Sequence, residues 1–473
     1  MAGGLQTLRC ACVRACAGRP QLNDIMRFSA FLRSLARRAY PALAVALLAL
    51  PASGALWLEG PQSTFQTAGP VAKDQLHLFY ITLWVTLILF VITGSALAVA
   101  TLKFRAKTEA DEHAAPPPQS HGNPVVELGL TIGSIVCLLF IAVPTLHSIK
   151  YTYDVENGET PGKLAKLVEE GKAYRIKATG YQWWFKFEYP TEKTAAGSDL
   201  VTANELVIPA GMPVHIDLRT GDVIHSFWVP KLGGKVDMIP NRPNHLWLQA
   251  DEPGYYFGQC AEYCGDSHSI MKFRVIALAK DDFAKWLAAQ KQPARAAAPL
   301  APTPAAKGTM AVLNLDGRDR LAPLAGTGDA SVAFTAWQAR QQPAPAQENT
   351  ALISAGRRLF RDNNCIMCHA IRGQEGIGTN APDLTHVGAR STIAAGLLEN
   401  NPERMKDWLI EPDYWKPSNK MFHGITYPVK MAGYLKLDES GQPQMNPTGQ
   451  PVRNIALTDA DATALTAYLQ SLK

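Results

Sequence analysis

The chain has 473 residues, a formal net charge of +5 and 47% hydrophobic residues. One hydrophobic core rarely grows past about 250 residues, so this length excludes a single compact fold and calls for two or three domains. So small a charge, with Arg27, Arg33, Arg37 and Arg38 all in the N-terminal stretch, leaves no polycationic surface for nucleic acid, and eight unevenly spaced cysteines are too few for a disulfide scaffold.

From Met26 the chain runs through basic residues into apolar residues 39–50 and then Ala52, Ser53, Gly54 and Ala55. That order is a secretory signal, so residues 1–55 are expected to be a leader cut near Ala55, with Met26 as the candidate true start. A retained third span is the alternative, although the apolar stretch is short for the roughly 20 residues a span needs. Cys10, Cys12 and Cys16 receive no role. Residues 75–149 are expected to form a membrane hairpin, because 76–102 and 125–146 are nearly all apolar. Lys103, Arg105 and Lys107 follow the first span and place the connecting loop in the cytoplasm, so everything after residue 150 lies outside. Glu127 sits near the cytoplasmic end of the second span, where a carboxylate either serves proton uptake or simply reaches water.

Residues 150–290 read as a second domain. Within it, 172–280 carry short Val, Ile, Tyr, Phe and Trp runs broken by Pro and Gly turns, the pattern of an antiparallel sandwich or barrel. It contains Cys260-Ala-Glu262-Tyr-Cys264-Gly-Asp-Ser-His268-Ser-Ile-Met271, with His225 upstream in Val-Ile-His-Ser-Phe-Trp. Two thiolates, two imidazoles and a thioether make a soft donor set that favours copper over Mg, Ca or Mn. A mononuclear blue site needs one thiolate, so the second points to a binuclear centre. Taken singly, the cysteines would read first as a local disulfide and His225 as a packed core residue, but the combined Cys-x3-Cys-x3-His-x2-Met spacing with the upstream histidine favours the metal site.

Residues 291–350 are rich in Ala, Pro, Gln and Gly and read as a tether, with a weak echo between Phe283-Ala-Lys-Trp286 and Phe334-Thr-Ala-Trp337. Residues 351–473 open on Cys365-Ile-Met-Cys368-His369, the haem-attachment signal: two thiols for two vinyl groups and an adjacent imidazole for the iron. A redox Cys-x-x-Cys has no need of the histidine, and a zinc pair would want two further ligands. A downstream methionine should complete the iron's axial pair, with Met405, Met421, Met431 and Met445 competing.

With its membrane hairpin and copper loop, the chain resembles cytochrome c oxidase subunit II, and its C-terminal part resembles class I c-type cytochromes, as in a caa3-type fusion. The resemblance implies a two-helix transmembrane hairpin, an all-β cupredoxin-like sandwich and an all-α cytochrome c domain. It also implies binuclear CuA held by the side chains of His225, Cys260, Cys264, His268 and Met271 and the carbonyl of Glu262, whose carboxylate would reach a magnesium ion shared with subunit I. Trp183, in Gly-Tyr-Gln-Trp-Trp-Phe, matches the tryptophan through which electrons reach CuA. Glu127 matches the carboxylate at a proton-channel mouth, although the family's Trp and Pro nearby are here Leu130 and Ser134.

Lys416-Pro-Ser-Asn-Lys-Met421 resembles the Lys-Pro-Gly-x-Lys-Met run of the cytochromes, with Ser418 for glycine and Phe422 for the usual proline, which selects Met421 with Met431 next. By the same analogy Pro382 would buttress His369 and Arg390 would contact a haem propionate. An amphipathic helix from Thr458 to Leu472 is expected to close the domain. Electrons would then pass from cytochrome c or a bc1 complex through haem c and CuA to the haem of subunit I, which reduces O2 and pumps protons. Subunit III, accessory subunits and lipid are the further partners, in a bacterial plasma membrane with both domains outside. Competing readings are a free-standing membrane electron carrier, nitrous oxide reductase, whose histidine-rich copper domain is missing, and quinol oxidase subunit II, which lacks these copper ligands.

Overall fold

The computed structural model describes residues 58–112, 115, 122–294, 309–312, 329–342, 349–425 and 431–473. The expected leader, its cleavage point and Cys10, Cys12 and Cys16 lie outside the described residues. Two helices are long and apolar enough to cross a membrane, α1 (Pro70–Lys103) and α2 (Pro124–Tyr153). Both outrun the spans read from hydropathy because each starts on a proline, whose ring presets the helical φ, and α2 adds an Asn123 side chain capping Val125 and Val126 N–H. Within the helices, Thr82, Thr93, Thr101, Thr131, Ser134 and Thr145 return their hydroxyls to carbonyls four residues back. A hydroxyl so bonded can face hydrocarbon without an orphan donor. At the extramembrane end the Ser148 hydroxyl donates to Asp74 and joins the two helices.

The β domain is two five-stranded sheets. One runs β3 (Asp199–Ala203), β2 (Trp184–Lys193), β1 (Tyr174–Tyr181), β5 (Val214–Thr220), β8 (Asn244–Leu248). The other runs β4 (Glu205–Pro209), β10 (Lys272–Leu278), β9 (Gly254–Cys260), β6 (His225–Trp228), β7 (Val236–Met238). The expectation of an antiparallel domain needs correction at two pairs, since β1 lies parallel to β5 and β4 parallel to β10. Side-chain alternation reports which face is buried and is blind to strand direction, so patterning alone cannot separate the two. Between the sheets, Phe185, Phe227 and Phe273 interlock with ring centroids 4.7–6.2 Å apart. The Tyr189 hydroxyl crosses from one sheet to the other, donating to Val207 O (3.0 Å) and accepting from Val207 N–H (2.9 Å).

Within the expected tether of 291–350, the described residues 329–342 carry an ordered element. Residues Ala330–Arg340 form a helix, capped by Asp329, that lays Phe334 and Trp337 on the sandwich; Trp337 is 2% exposed and its indole N–H donates to Glu205 Oε2 at 3.0 Å. Helix Lys280–Gln290 packs Phe283 and Trp286 on the same core, so the sequence echo is a repeated way of seating a helix. Averaged composition hides such a segment, because two aromatic residues one turn apart supply its whole apolar face.

In the C-terminal domain, helices Thr350–Asp362 and Asp459–Ser471 pack together through Gly356, where a Cβ would stand 2.0 Å from the Ala464 carbonyl oxygen. The last helix matches its expected extent, with Thr458 and Leu472 as its caps and a capping box from Asp461. A short strand pair, Thr392–Ile393 with Leu398–Glu399, adds a small β element to this helical domain. This domain is docked on the sandwich. Glu205 Oε1 accepts from Ser391 N–H (2.7 Å) and Oγ–H (2.5 Å), Lys272 N–H donates to Ala395 O (3.0 Å), and Arg274 Nη2 donates to Gly396 O (3.0 Å).

Trp337→Ala removes a buried aromatic and one donor to Glu205, and should destabilise the β domain by about 3 kcal/mol. Urea unfolding in detergent, with protease cleavage at 329–342 as a second readout, checks this; an unchanged midpoint would contradict it.

Candidate copper and haem sites

The register Phe227↔Cys260 between β6 and β9 sets His225 and Cys260 at one end of the sandwich, and Cys260 N–H donates to Met271 O (3.0 Å) to close the loop between β9 and β10. The donor atoms then converge. Cys260 Sγ lies 3.8 Å from Cys264 Sγ, 3.8 Å from His225 Nδ1 and 3.3 Å from Glu262 O; Cys264 Sγ lies 3.6 Å from His268 Nδ1 and 3.8 Å from Met271 Sδ. Both cysteines are free thiols. The hydrogen bond with Cys264 holds the Cys260 thiol below the usual thiol range despite its burial, and the same bond pushes Cys264 up. A soft cation bound here would displace the protons that the two sulfurs carry.

Sequence reading missed the residues that aim these ligands. Asp222 Oδ1 holds His225 Nε2 at 2.8 Å, leaving Nδ1 turned toward Cys260. A carboxylate three residues before a ligand histidine is the signal that could have found it. Burial raises the Asp222 carboxyl, yet hydrogen bonds from His225 and Gln182 N–H bring it down to about 2. Gly180 leaves the room His225 fills, since a Cβ there would stand 2.8 Å from its ring. Trp183 is buried, and its indole N–H donates to Cys264 O at 3.0 Å beside Gln182 Nε2 at 2.9 Å. The Glu262 carboxylate is exposed, with Lys235 Nζ at 3.9 Å.

In the helical domain His369 Nδ1 donates to Pro382 O at 2.8 Å, so the proline's carbonyl orients the ring and Nε2 stays available. Burial lowers this imidazole's proton affinity, which favours the neutral, ligating form. His369, Cys365, Cys368, Pro382, Arg390 and Met421 line a cavity of about 860 Å³. Of the other methionines, Met405 also lines it but its sulfur accepts from Gln470 Nε2 (3.6 Å), Met431 Sδ accepts from Asn380 Nδ2 (3.3 Å), and Met445 is exposed. Arg390 donates to the Asp383 carbonyl from the cavity wall. The volume, the thiols and the oriented imidazole fit a covalently attached haem.

The two sites adjoin. Trp183, Trp184 and Asp222 line the same cavity as Cys365 and Cys368. Above the copper loop, Ser267 Oγ donates to Pro417 O (2.6 Å), Ser418 Oγ to Asp266 Oδ2 (2.6 Å), and Lys420 Nζ to Asp222 Oδ2 (3.0 Å). Ser418 has φ 62°, the left-handed region that explains the glycine of the cytochrome run, and its hydroxyl finds the Asp266 carboxylate instead. Glu127 stands apart from both sites, exposed in the first turn of α2.

Residues 174–278 match the family described as cytochrome c oxidase subunit II, periplasmic domain, and residues 353–473 match cytochrome c. The chain is 31% identical over 407 residues to cytochrome c oxidase subunit 2 of Alkalihalophilus pseudofirmus, covering 86% of this chain and 89% of the relative. It is 26% identical over 420 residues to the Bacillus subtilis protein of the same name, covering 87% and 92%. A quinol oxidase subunit 2 of Bacillus cereus is 32% identical over 248 residues, 52% of this chain and 79% of its own. Among solved structures, the periplasmic domain of cytochrome oxidase subunit II from Bradyrhizobium japonicum is 31% identical, covering 25% of this chain and 93% of its own, with a TM-score of 0.24.

An apolar hairpin, a two-sheet domain with clustered sulfur and imidazole donors, and an attached cytochrome c domain define a membrane-anchored subunit of a haem-copper oxidase with an extracytoplasmic portion. The chain belongs to the cytochrome c oxidase subunit 2 family. Its first domain type implies copper and its second haem, and membership implies partnership with subunit I.

Gly180→Ala tests the aim of His225. The intruding Cβ should weaken copper binding about tenfold or more while leaving the haem domain untouched. Copper titration of the purified chain followed by EPR reads this, and wild-type affinity would count against it.

Proposed function

We propose that this chain is the electron-input subunit of an aa3/caa3-type terminal oxidase in a bacterial plasma membrane. His225, Cys260, Cys264, His268 and Met271, with the Glu262 carbonyl, would hold binuclear CuA; Cys365 and Cys368 would hold haem c, with His369 and Met421 as axial ligands. When bound, these groups would relay single electrons from cytochrome c or a bc1 complex, haem c before copper, to the haem of subunit I, where O2 is reduced to water and protons are pumped. The observation that carries this reading is the shared wall: Trp183 lines the cavity of Cys365 and Cys368 and donates its indole N–H to the carbonyl of Cys264.

The protein's own residues do the rest. Asp222 and Pro382 orient His225 and His369 through the nitrogens that face away from the metals. Arg390 in the cavity wall would neutralise a haem propionate. The Glu262 carboxylate would reach a magnesium ion shared with subunit I, and Glu127, in the first turn of α2, would admit protons toward it. Subunit III and further accessory subunits would complete the assembly against the apolar hairpin.

Visible and EPR spectroscopy with metal analysis of the complex purified from membranes tests this. Two coppers and one c-type haem per chain, copurifying with a large haem-bearing subunit, are expected; isolation of the chain as a stable complete unit would defeat the proposal. Cys260→Ser should abolish the binuclear copper signal and spare the c-haem spectrum. Met421→Ala should convert the haem to a high-spin or substituted form, whereas a normal low-spin spectrum would move the ligand to Met431.

A further inference from the structure

Lys416 stands where the two sites meet. It is 4% exposed, and its ammonium donates to the carbonyls of Ile270 and Ala394, both at 3.3 Å. Ile270 directly precedes Met271 in the candidate copper loop, while Lys416 and Ala394 both line the cavity of Cys365 and His369. Among the described residues no carboxylate forms an ion pair with it. An ammonium buried on two carbonyls alone is expensive, and hydrophobic packing would hold the loop at less expense. Burial pushes its proton affinity down to about 7, with Cys264 and Cys260 pulling the other way.

Resting on the reading of these sites as copper and haem centres, we propose that Lys416 is a shared electrostatic positioning residue, one buried cation that raises the reduction potential of both. Reduction places an added electron on either centre, and a fixed positive charge in a poorly screened interior stabilises that electron at both. Because one charge serves two centres, its removal lowers both potentials together and leaves their order unchanged. Loop anchoring is the competing role, and it needs only the hydrogen bonds.

Three variants of the full complex separate these roles at pH 6, with redox titrations following the copper near-infrared band and the haem α-band independently. Lys416→Met removes charge and donors, Lys416→Gln keeps a donor without charge, and Lys416→Arg keeps the charge. Met and Gln should each lower both midpoints, the one-electron equilibrium falling about tenfold, or about 59 mV, while Arg holds both near wild type. Wild-type midpoints in Lys416→Gln, or movement of one centre alone, would overturn the proposal. Absence of either band from the wild-type complex would instead refute the site assignments beneath it.

Discussion

A carboxylate taken out of water must find donors or be expelled, and Glu205 has been given four. Ser391 N–H and Oγ–H and Thr392 N–H converge on one oxygen, and the Trp337 indole N–H on the other. The carboxylate and its donors come from three places in the chain: Glu205 opens a strand of the sandwich, Trp337 belongs to a helix in the segment between the domains, and Ser391 and Thr392 belong to the cytochrome domain. Satisfying this one group therefore fixes the mutual placement of all three. The rest of the interface follows from it, including the seating of the loop from Lys416 to Met421 over the loop from Cys264 to His268.

These contacts dock the domains, whatever tether joins them. A flexible linker would raise the local concentration of the cytochrome domain near the copper loop and leave every approach angle open. Here Lys420, next to Met421, bonds the same carboxylate that orients His225. The relative placement of the two sites is thereby held by hydrogen bonds.

Much of this was legible in the residues. The hairpin, the soft donor set and the Cys-x-x-Cys-His signal are local in sequence, and chemistry constrains their spacing tightly. The capping box at Thr458 and Asp461 is local too, so the last helix could be placed within a residue at each end. Strand direction was not legible, since alternation is the same in both senses. Nor were Glu205 and Lys416, because a charged residue in a polar-looking stretch reads as solvated until the fold closes over it. Asp222 is intermediate: its distance from His225 in sequence offered a hint, whereas its bond to Lys420 spans 198 residues and belongs to tertiary structure alone.

Docking also bears on access to the copper site. Trp183 lines the cavity of Cys365 and Cys368, and Pro417 and Ser418 bond the loop that carries Cys264 and His268 from outside. Any copper ion reaching the Cys260 and Cys264 thiols from that side would have to enter before Pro417 and Ser418 close over the loop, or while they are lifted away.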